Sequence, residues 1–314
     1  MTRRSRIMLL AVTLDWLLGE PPNALHPVAW FGRFVQALES RAPRGDPRRE
    51  LVAGACIAAS GIAVALVPTV VLERALGPHR RGWAGILIGA TVFKVAFAWR
   101  DLVGAGEKVR RELEEQAPDA ARSDLRALVS RDTSQLDASL LAAAAIESLA
   151  ENASDSFVAP LIYYQIFGLP GAFVYRAVNT MDAMIGYHGR YEYLGKIAAR
   201  LDDVLNVIPS RVTALLIVAV SRLAGADPRR AWHILQSDHA RTASPNAGHP
   251  MSAMAGALGV RLEKVGHYRL NENGRPPQPF DIHRAARIVS LALGLALGLN
   301  VLVEFGRRRW GGSR

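Results

Sequence analysis

The chain has 314 residues, half of them hydrophobic, and carries 38 lysines and arginines against 28 acidic residues, for a formal net charge of +10. An apolar content this high, with the charges gathered in separate runs, excludes a disordered chain and a coiled coil. The single cysteine, Cys56, excludes a disulfide framework and any site built from several cysteines. A large soluble globule and a membrane protein with substantial loops are the classes that are left.

Three apolar segments approach the 20 or so residues that a membrane-spanning helix needs. Residues 51–72 carry no charge, and residues 288–305 are followed by a run of arginines at 307–309 that we expect to anchor the helix at the interface. Residues 82–99 are interrupted only by Lys94, which we expect to snorkel. Buried helices of a soluble protein are the alternative, but arginines flank each segment. We therefore predict an all-α polytopic integral membrane protein that forms one membrane-embedded domain over residues 1–314.

Two further apolar segments are too short to cross a membrane as helices. Residues 7–18 follow several arginines, as in a signal peptide, but they lack a cleavage site and contain Asp15. We expect this segment to be a retained helix that is interfacial or partly inserted. Residues 212–221 are bounded by Arg211 and Arg222, so we expect them to pack at the interface as well.

The distribution of lysine and arginine predicts the orientation. Residues 41–49 carry four arginines and residues 100–131 carry seven lysines and arginines, whereas the intervening residues 73–81 carry three. Positive loops stay in the cytoplasm, so the first and third of these loops are expected there, as cytoplasmic helical loops. The excess charge then suits the anionic surface of a lipid bilayer. The arginines form no aromatic-interleaved patch, so nucleic acid is not expected as a partner.

An acidic face is predicted on the helix that covers residues 136–153. Glu147, Glu151 and Asp155 follow each other at intervals of four, which places them on one side of a helix. The alternative is a solvated acidic edge, but the neighbouring residues 142–146 are wholly apolar. Ionisable groups among apolar residues in a membrane protein favour a ligand or ion site.

Residues 156–178 are apolar enough for another span, but a Gly-Leu-Pro-Gly sequence at 168–171 lies in their middle. Helices break at such a cluster, so two half-length helices joined there would form a re-entrant hairpin. A hairpin would return Arg176, Asn179 and Asp182 to the side of the membrane that holds Glu151 and Asp155.

Residues 176–211 carry a second group of polar side chains. Arg176, Asn179 and Asp182 share one helical face, and Asp202 and Asn206 are one turn apart with Arg211 following. Carboxylates with an amide oxygen suit Mg²⁺, and arginines bind carboxylate or phosphate through two parallel hydrogen bonds. Together these groups predict a site for a large anionic substrate.

The same residues resemble the CobD/CbiB family of cobalamin biosynthesis proteins. The likeness runs from about residue 15 to residue 262, departs at Glu20, His249 and Met251, and is weak over residues 263–280. Its ordered motifs include Asp15-Trp-Leu-Leu-Gly-Glu20, His26-Pro-Val, Arg131-Asp132-Thr-Ser, Glu147, Glu151-Asn152-Ala-Ser-Asp155, Tyr175-Arg176-Ala-Val-Asn179-Thr-Met-Asp182, Asp202-Asp203-Val-Leu-Asn206 and Ser244-Pro-Asn246.

The resemblance implies an adenosylcobinamide-phosphate synthase of the bacterial inner membrane, with its active site facing the cytoplasm. Such an enzyme joins (R)-1-aminopropan-2-ol or its O-phosphate to a propionate carboxyl of adenosylcobyric acid. Amide formation from a free carboxylate is uphill in water, so ATP and Mg²⁺ are expected as cosubstrate and cofactor, with an acyl phosphate as intermediate. The chain contains no Walker A sequence or dinucleotide fingerprint. A homo-oligomer, or a complex with other cobalamin-pathway enzymes, is left open.

The resemblance and the chemistry together assign roles within the polar regions 15–33, 129–211 and 236–262. His26 is a candidate proton acceptor, with a helix-capping role as the alternative. The candidate catalytic residues are His26, Glu147, Glu151, Asp155 and Asp182. The candidate metal ligands are Glu151, Asp155, Asp202 and Asp203. The candidate substrate-binding residues are Asp15, Arg131, Asp132, Asn152, Arg176, Asn179, Asn206, Arg211, Ser244 and Asn246. We expect these groups to converge on one pocket that holds a corrinoid.

Two other functions fit parts of the pattern. The spacing of Asp202, Asp203 and Asn206 loosely resembles the diphosphate-binding motifs of magnesium-dependent intramembrane prenyl transferases, although the predicted spans are too few for that class. A non-catalytic transporter subunit would place polar residues inside continuous spans, whereas here they gather between the spans.

Overall fold

A computed structural model describes residues 2–77, 82–126, 128–129, 131–187 and 189–311, with side chains described as far as residue 303. Two predictions fall partly outside the described residues. They concern the loop at 73–81, of which residues 78–81 are not described, and the arginine side chains at 307–309. The helices are α1 (Arg3–Leu18), α2 (Pro27–Glu39), α3 (Pro47–Ala75), α4 (Trp83–Lys94), α5 (Trp99–Glu114), α6 (Pro118–Leu125), α7 (Ala138–Ala153), α8 (Ala159–Ile185), α9 (Lys196–Ser221), α10 (Pro228–Asp238), α11 (Gly248–Leu258) and α12 (Pro279–Gly311).

The described residues contain two short strands of three residues each. Strands β1 (Leu262–Lys264) and β2 (Tyr268–Leu270) form an antiparallel hairpin in which Leu262 pairs with Leu270. This hairpin lies in the region where the family resemblance is weak, and the sequence did not predict it. The fold is otherwise helical, as expected.

Four helical segments are long and apolar enough to cross a membrane, which confirms the prediction of an all-α polytopic protein. They are Pro47–Ala75, Ala138–Ile185, Lys196–Ser221 and Pro279–Val303. The first and last contain the predicted spans at residues 51–72 and most of the span at 288–305.

Two predictions of membrane segments were wrong. The apolar segment at residues 82–99 forms α4 only as far as Lys94, so its 12 residues are too short to cross. Residues 212–221 belong instead to α9, a helix of 26 residues that continues through Pro209. The prediction failed because it treated Arg211 as the end of an apolar segment, whereas Arg211 is part of a longer helix and its Nη1 donates to the Val207 carbonyl.

The chain folds as two compact units, where the sequence predicted one domain. The first contains Met1–Ala98, Ala159–Asn206 and Asn300–Arg314, and the second contains Trp99–Val158 and Val207–Leu299.

In the first unit α3 packs against α8, and α1 packs against α4. Val35, Ile57, Val178 and Met181 are core residues of this unit. The close approach of the chain beside α3 requires a glycine, because a Cβ on Gly54 would lie 2.0 Å from the Leu194 carbonyl oxygen.

In the second unit α7 is the central helix. Its residues from Leu141 to Ala150 are all buried, and α5, α6, α11 and β1 pack around it. Alanines at 142–145 leave room for these neighbours to approach closely. Where α7 ends, Ser154–Val158 forms a π-helical turn that carries Asp155. Such turns occur mainly as single-turn insertions in helices, frequently at functional sites.

The predicted break in α8 is confirmed. Gly168 has φ 72° and ψ −155°, which is not helical. The rings of Tyr163 and Tyr175 stack with centroids 5.2 Å apart, whereas 12 residues of straight helix would separate their backbones by about 18 Å. The chain therefore reverses at Gly168 and α8 is a hairpin of two half-helices. Arg4 caps the first half, its Nη1 donating to the Gln165 carbonyl at 2.8 Å.

Candidate active site

In the first unit, the two halves of the predicted motif at residues 175–206 meet around Asp202. The Asn179 amide, from the second half of α8, donates to Asp202 Oδ1 at 3.3 Å. The Asn206 amide, one turn along α9, donates to Oδ2 at 2.9 Å. Tyr175 in turn donates its hydroxyl proton to Asn206 Oδ1 at 2.9 Å. Asp202 is thus held by two amides, with a tyrosine orienting one of them.

Two further acidic candidates of this unit are Asp203 and Asp182. Asp203 is 3.8 Å from the Arg200 guanidinium, within one turn of α9. Asp182 lies at the end of α8 and packs against Gly186. A Cβ added to Gly186 would lie 2.0 Å from Asp182 Oδ1. Arg176 Nη1 is 3.4 Å from Asn179 Oδ1. Asn179 therefore connects Arg176 to the Asp202 network.

A second polar cluster in the first unit joins the N-terminal motif to α4. Asp15 is fully buried, and Lys94 Nζ lies 3.8 Å from its Oδ1 and 2.8 Å from Glu20 Oε1. The expectation that Lys94 snorkels was wrong, because the ammonium group is buried against two carboxylates. Glu20 also bonds to His26 Nε2.

The geometry of His26 favours the capping role over the role of proton acceptor. Nδ1 of His26 accepts from the backbone N–H of Val28 at 3.1 Å and so caps α2. Because Nδ1 is an acceptor, Nε2 carries the proton in the neutral ring and donates it to Glu20. Neutral His26 then has no free ring nitrogen with which to take a proton from a substrate.

In the second unit, Glu147 and Arg131 form a buried pair. Arg131 Nη2 is 2.9 Å from Glu147 Oε2, and Glu147 is buried in the middle of α7. Among the described residues, Arg131 Nε and Glu147 Oε1 are buried and have no hydrogen-bond partner. Unsatisfied buried polar atoms are rare in native folds, so they point to a ligand or a bound water at this pair.

Tyr268 lies beside this pair, and the sequence did not predict it. It comes from β2, and burial raises the pKa of its hydroxyl, with the negative charges of Glu147 and Glu151 adding to the effect. Tyr268 is therefore a neutral hydroxyl beside two carboxylates. No motif signals it, because the strand that carries it lies where the family resemblance is weak.

The remaining candidates in this segment differ in their surroundings. Glu151 is exposed and Asp155 is half-buried in the π-helical turn. Asn152 donates to the carbonyl and the hydroxyl oxygen of Ser148, one turn back along α7. Asp132 accepts from the backbone and the hydroxyl of Ser134, which lowers the pKa of its carboxyl. Asn152 and Asp132 thus stabilise local backbone.

The predicted contacts at Arg211 and residues 244–246 form a third polar group, also in the second unit. Asn246 Oδ1 accepts from Ser210 Oγ and from Arg211 Nη1, both at 3.3 Å. Ser244 Oγ accepts from the backbone N–H of Asn246 at 3.2 Å. Ser244 therefore shapes the turn that holds Asn246.

Two histidines extend this third group. The rings of His239 and His249 stack with centroids 4.6 Å apart. Burial lowers the pKa of His249 to about 4, with the positive charges of Arg211 and His239 contributing. His249 is therefore neutral at physiological pH.

The described residues do not form a metal site of their own. No three His, Cys, Asp or Glu side chains in the described ranges are placed to hold a metal ion. In addition, both oxygens of Asp202 already accept hydrogen bonds from Asn179 and Asn206. The residues present therefore do not fit a magnesium ion held by protein carboxylates alone.

These features define the class: an all-α polytopic membrane protein whose buried ionisable groups are held in specific polar networks. A family model described as CobD/Cbib protein matches residues 8–289. The chain belongs to that family.

Several curated proteins are similar over most of their length. The chain is 46% identical to the cobalamin biosynthesis protein CobD of Dehalococcoides mccartyi, over 87% of this chain and 88% of that protein. It is 41% identical to a probable cobalamin biosynthesis protein CobD of Methanothermobacter thermautotrophicus, over 85% and 86% of the two chains. It is 42% identical to a probable cobalamin biosynthesis protein CobD of Thermococcus kodakarensis, over 91% of this chain and 90% of that protein. No solved structure matches the chain.

Proposed function

We propose that the protein is an adenosylcobinamide-phosphate synthase of cobalamin biosynthesis. The observation that carries the proposal is the family match over residues 8–289, within which the motif residues Asp15 and Glu147 are buried beside Lys94 and Arg131. Relatives that cover similar lengths are named as cobalamin biosynthesis proteins. The reaction joins the amine of (R)-1-aminopropan-2-ol, or of its O-phosphate, to a propionate carboxyl of adenosylcobyric acid.

The proposed chemistry has two steps. An oxygen of the propionate carboxylate attacks the γ-phosphorus of ATP, which forms an acyl phosphate and releases ADP. The amine nitrogen then attacks the acyl carbon, the bond to the phosphate oxygen breaks, and inorganic phosphate leaves as the amide forms. The protein needs donors for the anionic oxygens and an acceptor for the amine proton.

The second unit supplies both kinds of group. Arg131, with its buried and unsatisfied Nε, and Arg211 beside Asn246 are our candidates for binding anionic oxygens. Glu151 is our candidate proton acceptor, because it is an exposed carboxylate one turn from the Arg131–Glu147 pair. Asp155 in the π-helical turn is the alternative acceptor. In the first unit, Asn179 and Asn206 are proposed to hold Asp202 for substrate binding.

Magnesium enters this proposal only with the nucleotide. Mg²⁺ commonly binds substrate phosphates and one or two carboxylates and keeps several of its waters. Because the described residues form no metal site, we assign no reaction step to a metal held by the protein.

The test is an assay of the full-length protein purified in detergent. Adenosylcobyric acid, ATP, Mg²⁺ and either aminopropanol or its phosphate should yield the amide product, detected by its mass. Glu151→Gln should reduce product formation strongly, whereas Asp119→Asn, on an exposed side chain of α6, should not. A strong loss in Asp155→Asn, with near-normal activity in Glu151→Gln, would favour the alternative acceptor. Absence of the amide product, together with turnover of an isoprenyl diphosphate, would contradict the proposal and would indicate a prenyl transferase.

We also propose an inner-membrane location with the active site facing the cytoplasm. Because α4 does not cross, residues 41–49 and 100–131 lie on opposite sides of the α3 span. Residues 100–131 carry seven lysines and arginines against four in residues 41–49, which supports a cytoplasmic location for the loop that precedes the acidic face of α7. A cysteine introduced as Asp155→Cys, in a Cys56→Ala background, should be labelled by a membrane-impermeant thiol reagent in inverted vesicles and protected in intact cells. The reverse pattern would contradict the orientation.

A further inference from the structure

The first unit contains a cavity that the proposed reaction does not use. It lies between α2, α3 and the second half of α8, and its volume is about 580 Å³. Typical small-molecule pockets range from about 300 to 1,000 Å³, so the space is large enough for a ligand. Its walls are mostly aromatic and aliphatic and include Trp30, Phe31, Phe34, Val64 and Phe173.

One charged side chain lines this cavity among the described residues. It is Arg176, whose Nε is buried and has no hydrogen-bond partner in the described ranges. Its Nη1 lies 3.4 Å from the neutral amide oxygen of Asn179, and no described carboxylate forms an ion pair with it. A guanidinium in apolar surroundings is costly unless an anion accompanies it. The cavity thus suits a molecule with an apolar body and one anionic group.

Part of the cavity wall belongs to exposed apolar side chains. Trp30 and Val64, at its wall, are 50% and 48% exposed. Val64 belongs to α3, a candidate membrane span, and only 22% of the most apolar window of α3 is buried. Val67 and Val71 extend the exposed apolar surface along the same helix. A ligand that enters here comes from the hydrocarbon side of the membrane.

We propose that this cavity binds an anionic phospholipid, with the lipid phosphate at Arg176 and one acyl chain between α2, α3 and α8. A nucleotide fits less well, because one guanidinium does not balance several phosphate charges and the walls offer few partners for a base. The assignment gives Arg176 a role other than the substrate binding expected from the sequence. It is independent of the proposed reaction.

The test measures lipid retention by native mass spectrometry of the full-length protein in detergent. Phosphatidylglycerol and phosphatidylcholine with identical acyl chains are added in turn. We expect one phosphatidylglycerol to be retained by the wild-type protein, with phosphatidylcholine weaker by about tenfold or more because it lacks net negative charge. Equal retention of the two lipids by the wild-type protein would overturn the proposal without the need for any variant.

Variants then locate the site. Arg176→Gln should lose the preference for phosphatidylglycerol, whereas Arg33→Gln, which removes an exposed arginine from α2, should keep it. Ala65→Phe, which fills the cavity, should reduce retention of the lipid while Arg176 is intact. Unchanged retention in both Arg176→Gln and Ala65→Phe would refute this cavity as the site.

Competition distinguishes the source of the phosphate. Millimolar inorganic phosphate should not displace the lipid, because the acyl chain supplies much of the binding free energy. Displacement by inorganic phosphate would show that Arg176 binds a soluble anion, and would overturn the assignment to lipid. None of these measurements uses the corrinoid or ATP, so their failure is distinguishable from a failure of the proposed reaction.

Discussion

Lys94 Nζ lies 2.8 Å from Glu20 Oε1, so the end of α4 is tied to the loop between α1 and α2. The same ammonium group is 3.8 Å from Asp15, which is fully buried at the end of α1. His26 contributes a hydrogen bond to this cluster through Glu20. The N-terminal family motif is therefore held in place by a lysine about 75 residues further along the chain.

Removal of this lysine should destabilise the first unit. Lys94→Met keeps most of the side-chain volume but removes the buried ammonium group that lies beside Asp15 and Glu20. We expect the free energy of unfolding to fall by about 3–5 kcal/mol, as for other broken buried pairs. Thermal unfolding in detergent measures the effect. Lys196→Met, at an exposed lysine, is the control, and equal melting temperatures for the two variants would show that the pair contributes little.

The reversal of α8 should depend on Gly168. Its φ of 72° with ψ −155° is a conformation that side chains with a Cβ avoid, and a Cβ there would also approach Glu73 Oε1 to 2.2 Å. Gly168→Ala should therefore cost about 1–3 kcal/mol or more of stability. Gly104→Ala is the matched control, because Gly104 is helical and a Cβ there meets nothing within 4 Å. Equal melting temperatures for Gly168→Ala and Gly104→Ala would show that the backbone conformation of residue 168 does not require glycine.

The Arg131–Glu147 pair should matter for product formation. Glu147→Gln keeps the shape of the side chain but removes the negative charge that positions Arg131. We expect amide formation to fall by about tenfold to 100-fold, because Arg131 would no longer be held for an anionic substrate. Product mass measured over time gives the rate, with Glu115→Gln as the control at an exposed acid of the same unit. A wild-type rate for Glu147→Gln would place this pair outside the site.

The stability of the second unit should decrease in acid through His249. Burial and two neighbouring positive charges lower its pKa from 6.5 to about 4. The unfolded chain therefore binds more protons than the folded chain between these values, so stability falls as pH falls from about 6.5 to about 4. Above pH 6.5 the ring is neutral in both states and contributes no pH dependence.

Melting temperatures across this pH range test the prediction. His249→Phe should flatten the dependence between pH 6.5 and 4, because no proton is taken up at this position on unfolding. His267→Gln, in the turn between the two strands, is the control, and its melting temperature should depend on pH as in the wild-type protein. An unchanged slope in His249→Phe would assign the acid sensitivity to other groups.

Much of the fold follows from local patterns in the sequence. Uncharged runs of sufficient length predicted α3 and most of α12, because apolar length is all that a span needs. The glycine and proline cluster at 168–171 predicted the break in α8, because few other sequences permit it. The one-turn spacing of Asp202 and Asn206 predicted a shared face, and their hydrogen bond confirms it.

Other predictions failed where a charged residue was treated alone. Lys94 was expected to snorkel and Arg211 to end an apolar segment, because a charge in an apolar run is costly without a partner. In the structure Lys94 has carboxylates from Asp15 and Glu20, and Arg211 has Asn246 and a backbone carbonyl. The carboxylates beside Lys94 and the amide of Asn246 are distant in the sequence from the charges they contact, so no local pattern could have indicated them.

What the sequence determined by itself is therefore the helical class, the family and two membrane spans, whereas the catalytic and binding roles of the motif residues stay predictions. Spacing and hydropathy are local properties, and they are sufficient for the class, the family and these spans. Tertiary structure decided which charges are paired, Lys94 with Glu20 and Glu147 with Arg131. It placed the neutral amide of Asn179, on α8, within hydrogen-bond distance of Asp202 on α9. It also brought Tyr268 beside Glu147 and left Arg176 in an apolar cavity. The physical reason is that the cost of a buried charge depends on partners that only the folded chain brings within a few ångströms.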